Sequence, residues 1–155
     1  MVAAPACLLD SNILLRTGKV TPGHYPDIEL ALDLLVRGGF KFCFTSQTLG
    51  EFWNVCTRPA NRNGYGLSVA ATDVLAKRIE SEYDRLPETS AVHDHWRALL
   101  IQHQIKGAQV HDARIAAAMY VHGVTHILTL NDRDFLRFPG IRVLRPGEIG
   151  ETSIR

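Results

Sequence analysis

Short apolar segments alternate along this chain with longer segments in which apolar residues recur at helical spacing. The apolar segments span residues 6–10, 40–45 and 125–129, and each has the length and composition of a buried strand. Two further short strands are predicted at residues 84–87 and 141–144, the last of them at a sheet edge. Alternating strands and helices predict an α/β fold with three α/β/α layers and a mostly parallel central sheet.

Polar residues that can cap helices separate the strands from the helical segments. Ser46 or Thr48 can start the helix that follows the second strand. A helix at residues 69–83 is predicted to turn Val74, Leu75 and Ile79 inward. The helix predicted at residues 112–121 is rich in small residues, which suits close packing on a sheet.

Composition limits the class of protein. A chain of 155 residues can bury a sizeable core, and it shows no internal repeat, low-complexity tract or linker, so we expect one domain spanning residues 1–155. The hydrophobic content of 46% argues against disorder. The net charge of +1 gives no support for nucleic-acid binding through bulk charge, although a local basic patch stays open.

Targeting and redox features favour a cytoplasmic protein. The apolar start of the chain has no Lys or Arg before it and is interrupted early by Asp10, unlike a secretion signal. No segment approaches the roughly 18 uninterrupted apolar residues of a membrane span. Cys7, Cys43 and Cys56 are odd in number and cannot all pair with one another, which favours a reducing compartment.

Acidic residues occupy positions where strands end or where the following helices begin. They are Asp10, Glu51, Asp112 and the pair Asp132 and Asp134. Because the carboxyl ends of parallel strands share one edge of a sheet, we expect these side chains to meet there. Carboxylates gathered in one place repel each other unless a cation neutralises them, and a hard divalent ion with oxygen ligands is the usual partner. The pattern therefore predicts a metal-dependent enzyme.

Each acid also has an ordinary structural explanation. Asp10 can cap the helix that follows it, Glu51 can be a solvated surface residue, and Asp112 can stabilise a helix N-terminus. Asp132 and Asp134 cannot both point the same way on a helical turn, so we expect one to face the site and the other to face solvent.

Two polar residues can support such a site. Asn12 lies on the same turn as Asp10 and can hydrogen-bond a carboxylate or a ligand, and Thr129 can add a hydroxyl. Three common α/β functions are excluded, because the chain contains no Gly-x-x-x-x-Gly-Lys-Ser/Thr loop, no Gly-x-Gly-x-x-Gly turn and no Gly-x-Ser-x-Gly elbow.

Four short motifs follow one another across nearly the whole chain. They are Leu8-Leu9-Asp10-Ser11-Asn12, Ser46-Gln47-Thr48-Leu49-Gly50-Glu51-Phe52, His111-Asp112-Ala113-Arg114-Ile115-Ala116-Ala117 and Leu128-Thr129-Leu130-Asn131-Asp132-Arg133-Asp134-Phe135. Each motif is weak alone, but the ordered set is specific. It resembles the PIN-domain ribonucleases, and above all the toxin half of bacterial and archaeal VapBC toxin–antitoxin pairs.

This resemblance implies a PIN fold and RNA cleavage that depends on one or two Mg²⁺ or Mn²⁺ ions. By their places in the motifs, Asp10, Glu51 and Asp112 would be catalytic metal ligands. Asp134 would be the fourth, with Asp132 as its rival, since each matches one version of the last motif.

The resemblance also implies a homodimer and a cognate antitoxin that blocks the site. The loop at residues 58–66 carries Arg58 and Arg62, which either line the path of the RNA or are simply solvated.

Two other functions stay open at this point. One is a PIN-fold module that binds RNA or a protein without cutting, although clustered carboxylates without a role would cost stability. The other is a metal-dependent phosphatase acting on small phosphoesters, although the Asp-x-Asp strand end usual in such enzymes is absent at Asp10-Ser11-Asn12.

Overall fold

A computed structural model describes residues 3–17, 23, 25–150 and 154 of the chain. The strands that it contains are β1 (Ala6–Leu9), β2 (Lys41–Thr45), β3 (Asp84–Leu86), β4 (His126–Leu128) and β5 (Arg142–Leu144). The helices of the described residues are α1 (Ser11–Thr17), α2 (Pro26–Arg37), α3 (Ser46–Thr57), α4 (Val69–Glu82), α5 (Ser90–Gln102) and α6 (Gln109–His122), with short 3₁₀ helices at Ala60–Arg62 and Asp132–Asp134.

The strands form one five-stranded sheet in the order β3-β2-β1-β4-β5, and every pairing between neighbours is parallel. This confirms the predicted α/β fold with its parallel central sheet, and it places β5 at an edge as expected. Because β1 is in the middle, its carboxyl end lies beside that of β4. Asp10 and Thr129, which follow these two strands, are therefore neighbours, and the amide of Asp10 donates to the carbonyl of Leu128 at 3.1 Å.

Successive side chains of a strand point to opposite faces of the sheet, and they belong to two hydrophobic clusters, one on each face. Cys7 and Leu9 pack in the cluster covered by helices α1 to α4, whereas Leu8 packs in the cluster covered by α5 and α6. The small residues of α6 are buried as predicted, from Ala113 to Met119 apart from the half-buried Arg114. Helices on both faces of the sheet give the three α/β/α layers.

The first turn of α3 is closed by a pair of threonines. Thr45 is the N-cap residue, and its hydroxyl accepts the amide of Thr48 at 3.1 Å, while the hydroxyl of Thr48 accepts the amide of Thr45 at 3.0 Å. The helix therefore begins at Ser46, one of the two predicted starting residues, and Thr48 is its third residue. This reciprocal cap fixes the direction in which α3 leaves the end of β2.

Two expectations about helices are wrong. Ile79 is buried and Leu75 packs on the core as predicted, but Val74 is 62% exposed, and Thr72 and Ala76 are the other buried positions of α4. Thr72 can be buried because its hydroxyl donates to the carbonyl of Ser68 at 2.9 Å, which satisfies the polar group locally. Helix α6 begins at Gln109, three residues before the predicted start at Asp112.

Within the residues that the structure describes, no helix is long and apolar enough to cross a membrane. The thiols of Cys7, Cys43 and Cys56 are all free and buried.

Candidate metal centre

Asp10 lies at the carboxyl end of β1 with its side chain almost wholly buried, at 6% exposure. Its Oδ1 accepts the amide of Ser11 at 2.8 Å, and its Oδ2 accepts the hydroxyl of Thr129 at 2.7 Å. The carboxylate is thus turned across the sheet edge toward β4. Burial raises the pKa of Asp10, and these two hydrogen bonds oppose the rise.

Asn12 and Thr129 connect the turn after β1 to the turn after β4. The Oδ1 of Asn12 accepts the amide of Leu130 at 3.1 Å, and the Oγ1 of Thr129 accepts the amide of Asn131 at 3.0 Å. The Nδ2 of Asn12 lies 3.4 Å from both Asp10 Oδ2 and Thr129 Oγ1. Both residues therefore lie beside the acid that they were predicted to support.

Helices α3 and α6 bring two more acids to the same edge of the sheet. Glu51 lies in the second turn of α3 and Asp112 in the first turn of α6. Gln47 joins the two helices, because its Nε2 donates to Glu51 Oε1 at 3.2 Å and to the carbonyl of His111 at 2.8 Å. Sequence reasoning did not single out Gln47, and the one signal available was its position four residues before Glu51 on the same helix face.

The pKa of Asp112 shows that the acids act on one another. It is raised from 3.8 to about 7, first by burial and then by repulsion from Asp134, Asp10 and Glu51, against a lowering by Arg137. The pKa of Asp10 is raised by Glu51 and Asp134 as well as by burial. Four carboxylates from four separate segments therefore lie within electrostatic range of one another, and the charges of Glu51 and Asp134 disfavour ionisation of both Asp10 and Asp112.

The two candidates for the fourth acid differ in their surroundings. Asp132 and Asp134 are the ends of one short 3₁₀ helix. Asp132 Oδ1 lies 3.7 Å from Arg145 Nη1, whereas Asp134 acts on both Asp10 and Asp112. The structure therefore brings Asp134 toward the other acids and Asp132 toward a surface arginine.

The donors at this edge suit a hard divalent cation. They are carboxylate, amide and hydroxyl oxygens, which Mg²⁺ and Mn²⁺ prefer, and no thiolate or imidazole is needed. Among the described residues, no three His, Cys, Asp or Glu side chains are already gathered closely enough to hold a metal ion. That spacing is compatible with Mg²⁺, which usually keeps several water ligands and binds proteins through only one or two carboxylates.

The loop after α3 is held together by contacts among its own residues. The Nη2 of Arg58 donates to the carbonyl of Asn63 at 2.8 Å, and Arg62 ends the exposed 3₁₀ helix Ala60–Arg62. Gly64 packs so tightly that an added Cβ would lie 1.9 Å from the carbonyl oxygen of Arg58. Neither arginine is among the charges that shift the pKa of Asp10 or Asp112, and their contact with RNA stays a prediction.

The chain matches no protein-family model and no curated protein sequence. Solved structures do match it. VapBC2 from Rickettsia felis, bound to a DNA fragment from its promoter, superposes with a TM-score of 0.65 and 17% identity, covering 90% of this chain and 98% of that one. A toxin–antitoxin complex from Klebsiella pneumoniae gives a TM-score of 0.63 and 20% identity, over 92% and 99% of the two chains.

VapC20 from Mycobacterium tuberculosis, a toxin that cleaves the sarcin–ricin loop, gives a TM-score of 0.51 and 15% identity, over 78% of this chain and 86% of that one. The chain has a PIN-like fold. At these identities the likeness is one of architecture, and it confirms the predicted PIN resemblance at that level. The PIN-like fold also explains why acids far apart in sequence approach the same edge of the sheet, since the motifs end β1 and β4 and begin α3 and α6.

Proposed function

We propose that the chain is a metal-dependent endoribonuclease and the toxin of a type II toxin–antitoxin pair. The observation that carries this proposal is the convergence of Asp10, Glu51, Asp112 and Asp134 on the carboxyl edge of the sheet, where Glu51 and Asp134 come close enough to raise the pKa of both Asp10 and Asp112. Support for RNA as the substrate comes from the shared fold, because one structural neighbour is a toxin that cleaves the sarcin–ricin loop.

In this proposal the four carboxylates hold one or two Mg²⁺ or Mn²⁺ ions, with Asp132 as the rival to Asp134. A bound ion of this kind lowers the pKa of a water molecule and stabilises charge on the attacked phosphate. Asp10 provides the most rigid ligand, since the hydroxyl of Thr129 fixes one of its oxygens and the amide of Ser11 fixes the other.

The ionisation of Asp112 makes metal binding depend on pH. With a pKa of about 7 in the metal-free protein, it is partly protonated near neutral pH. A cation can use only the ionised form as a ligand, so binding releases this proton and becomes tighter as pH rises through 7.

The proposal includes partners and a place of action. Neighbours of the same fold are solved as toxin–antitoxin complexes, which supports a cognate antitoxin that covers the acids. A homodimer and action in the cytoplasm are further parts of the proposal. The three free, buried thiols are compatible with a reducing compartment.

Cleavage of total cellular RNA by the purified chain, freed of antitoxin, tests the function. We expect discrete products with Mg²⁺ or Mn²⁺ and none with EDTA, and the products should carry 5′-phosphate and 3′-hydroxyl ends. Asp10→Asn should lower the rate by at least about 100-fold, since one charged ligand is lost. Asp132→Asn should keep the wild-type rate, because the proposal takes Asp134 as the fourth ligand; a loss of activity in this variant would assign that place to Asp132.

Other results would redirect the assignment. Equal cleavage by wild type and Asp10→Asn would show that the acids are not the catalytic centre. Products that end in a 2′,3′-cyclic phosphate would exclude attack by water. An intact fold with no cleavage under any metal would favour a non-catalytic binding module, and turnover of an aryl phosphate but not of RNA would favour a phosphatase.

A further inference from the structure

An open groove runs between α3 and α6 to the acidic centre. It consists of two adjoining cavities, of about 480 and 340 Å³, which share Gln47 and His111. The first extends to Ser46, Glu88 and Arg114, and the second to Gly50, Glu51 and Asn54. Because Glu51 is one of the four acids, whatever lies in this groove reaches the candidate metal centre.

Arg114 is held rigidly at the far end of the groove. Its guanidinium carbon lies 4.6 Å from the ring centroid of Trp96, and its Nε lies 3.1 Å from Glu88 Oε1. The ring is itself fixed, because the indole Nε1 of Trp96 donates to the carbonyl of Val110 at 2.8 Å. A cation stacked and paired in this way loses little conformational entropy when it binds an anion.

Because Gly50 has no side chain, the backbone of α3 forms the wall of the groove at this position. It lies inside α3, where glycine is less stable than alanine, and a Cβ added to it would meet nothing within 4 Å. The helix therefore has no packing reason for glycine here. Open space in front of a helix backbone, one residue from Glu51, leaves room for a chain that passes close to the acids.

The lining of the groove distinguishes the kinds of ligand that fit it. Apart from Gly50, its side chains are polar or charged, and large apolar anchors of the kind that seat an amphipathic helix do not line it. The charged residues of the lining are Arg114, Glu88 and Glu51. A nucleic-acid strand in this groove would therefore be held by a phosphate contact at Arg114 and by the polar groups beside it, and not by bulk positive charge.

We infer that a single strand of RNA lies in this groove, with a phosphate bound to Arg114 and the backbone of the strand passing Gly50 on its way to the acids. This inference rests on the proposed ribonuclease function and adds the route of the substrate. Glu88 competes with the phosphate for Arg114, so it limits affinity.

Binding of a fluorescein-labelled single-stranded RNA of about 12 nucleotides, a length within the range of known single-strand sites, tests this route. Fluorescence anisotropy is measured in EDTA in the Asp10→Asn background, so that cleavage cannot interfere. Arg114→Ala should weaken binding about tenfold, the order for one hydrogen bond to a charged group. It should also reduce the slope of log K against log salt by about 0.7, the value for one phosphate contact on a single strand. Glu88→Gln should have the opposite effect and tighten binding.

Matched controls come from the ion pair of Arg37 and Asp33, 2.7 Å apart on α2. This pair lies at the end of α2 that leads into the start of β2, which is the opposite edge of the sheet. Arg37→Ala and Asp33→Asn should leave both affinity and salt slope unchanged. Gly50→Leu should raise the melting temperature, because it replaces a helix glycine, and should still weaken RNA binding several-fold by filling the groove.

The outcomes separate this inference from the proposed function. If the wild type cleaves RNA but Arg114→Ala and Arg37→Ala bind it with the same affinity and slope, the groove is not the route and the nuclease assignment stands. If Arg114→Ala weakens RNA binding and Glu88→Gln tightens it, but the wild type never cleaves RNA, the groove is supported as the route of the RNA and the nuclease assignment is contradicted. No RNA binding by the Asp10→Asn parent at low salt would overturn the inference. A protein segment would then be the better candidate for the ligand of the groove. Should Arg114→Ala fail to fold, Glu88→Gln and Gly50→Leu decide the question.

Discussion

Replacing Asp112 by asparagine in the metal-free protein measures the free-energy cost of ionising Asp112, which arises from its burial and from repulsion by the other acids. Ionised Asp112 is opposed by burial and by three other acids, which raise its pKa from 3.8 to about 7. Asparagine keeps nearly the same shape without the charge. The variant should therefore be more stable than the wild type wherever Asp112 would be ionised in the folded protein.

The sign of the pH dependence follows from the raised pKa. Between about pH 4 and pH 7 the folded protein binds a proton at Asp112 that the unfolded chain has lost, so this group makes stability fall as pH rises. Below pH 4 the group is protonated in both states and has no effect. Above pH 7 it is ionised in both states, and the full cost is present.

The size of that cost can be estimated from the two pKa values. About three tenfold steps at about 1.4 kcal/mol each give an upper value of about 4 kcal/mol. Asp112 is only half-buried, and solvent screening reduces this to about 2 kcal/mol. Its attraction to the positive end of α6, worth about 0.3–1 kcal/mol, opposes the effect but is smaller.

Urea denaturation in EDTA, followed by circular dichroism at pH 4 and pH 8, tests this reasoning. Asp112→Asn should match the wild type at pH 4 and exceed its free energy of unfolding by about 2 kcal/mol at pH 8. Asp94→Asn, at an exposed position on α5, should change neither value. A variant less stable than the wild type at pH 8, or a difference independent of pH, would refute the proposed cost of ionising Asp112.

Two further substitutions test the hydrogen bonds that shape the site. Thr129→Val removes the hydroxyl that donates to Asp10 and accepts the amide of Asn131, and should lower the free energy of unfolding by about 1–3 kcal/mol in urea denaturation; unchanged stability would show that these bonds are not needed. Thr45→Ala removes the cap of α3 and should cost about 1 kcal/mol in the same assay, and a loss below a few tenths would mean that Thr48 caps the helix alone.

The parts of the site that could be predicted from sequence depend on strand ends. Asp10, Asn12 and Thr129 follow apolar strands, and parallel strands bring such positions to one edge whatever the details of packing. The same rule explains why Asp112 and Glu51, near the starts of helices, approach that edge. Asp132 and Asp134 have different surroundings, but the prediction that only one of them belongs to the site still needs the substitutions proposed above.

Other features depend on distances that only the packed structure defines. Gln47 reaches the carbonyl of His111, which is 64 positions later in the chain, and nothing in a local motif records how close α3 and α6 come. The early start of α6 has no sequence signal, because Ala108 precedes it without a side-chain cap. On α4 the prediction fails only in part, since Ile79 faces inward but Thr72 takes a buried place in which Val74 was expected. The burial of Thr72 depends on a hydrogen bond to Ser68, which the apolar pattern does not record.

The claim on which the other conclusions depend is that the four carboxylates bind a divalent cation. Titration of the antitoxin-free protein with Mn²⁺ at pH 8, in which electron paramagnetic resonance reports the free ion, measures this directly. We expect saturable binding of one or two ions, weakened at least about tenfold in Asp10→Asn and in Asp134→Asn and unchanged in Asp132→Asn. Equal binding by the wild type and Asp10→Asn, or no binding at all, would contradict the proposed metal centre.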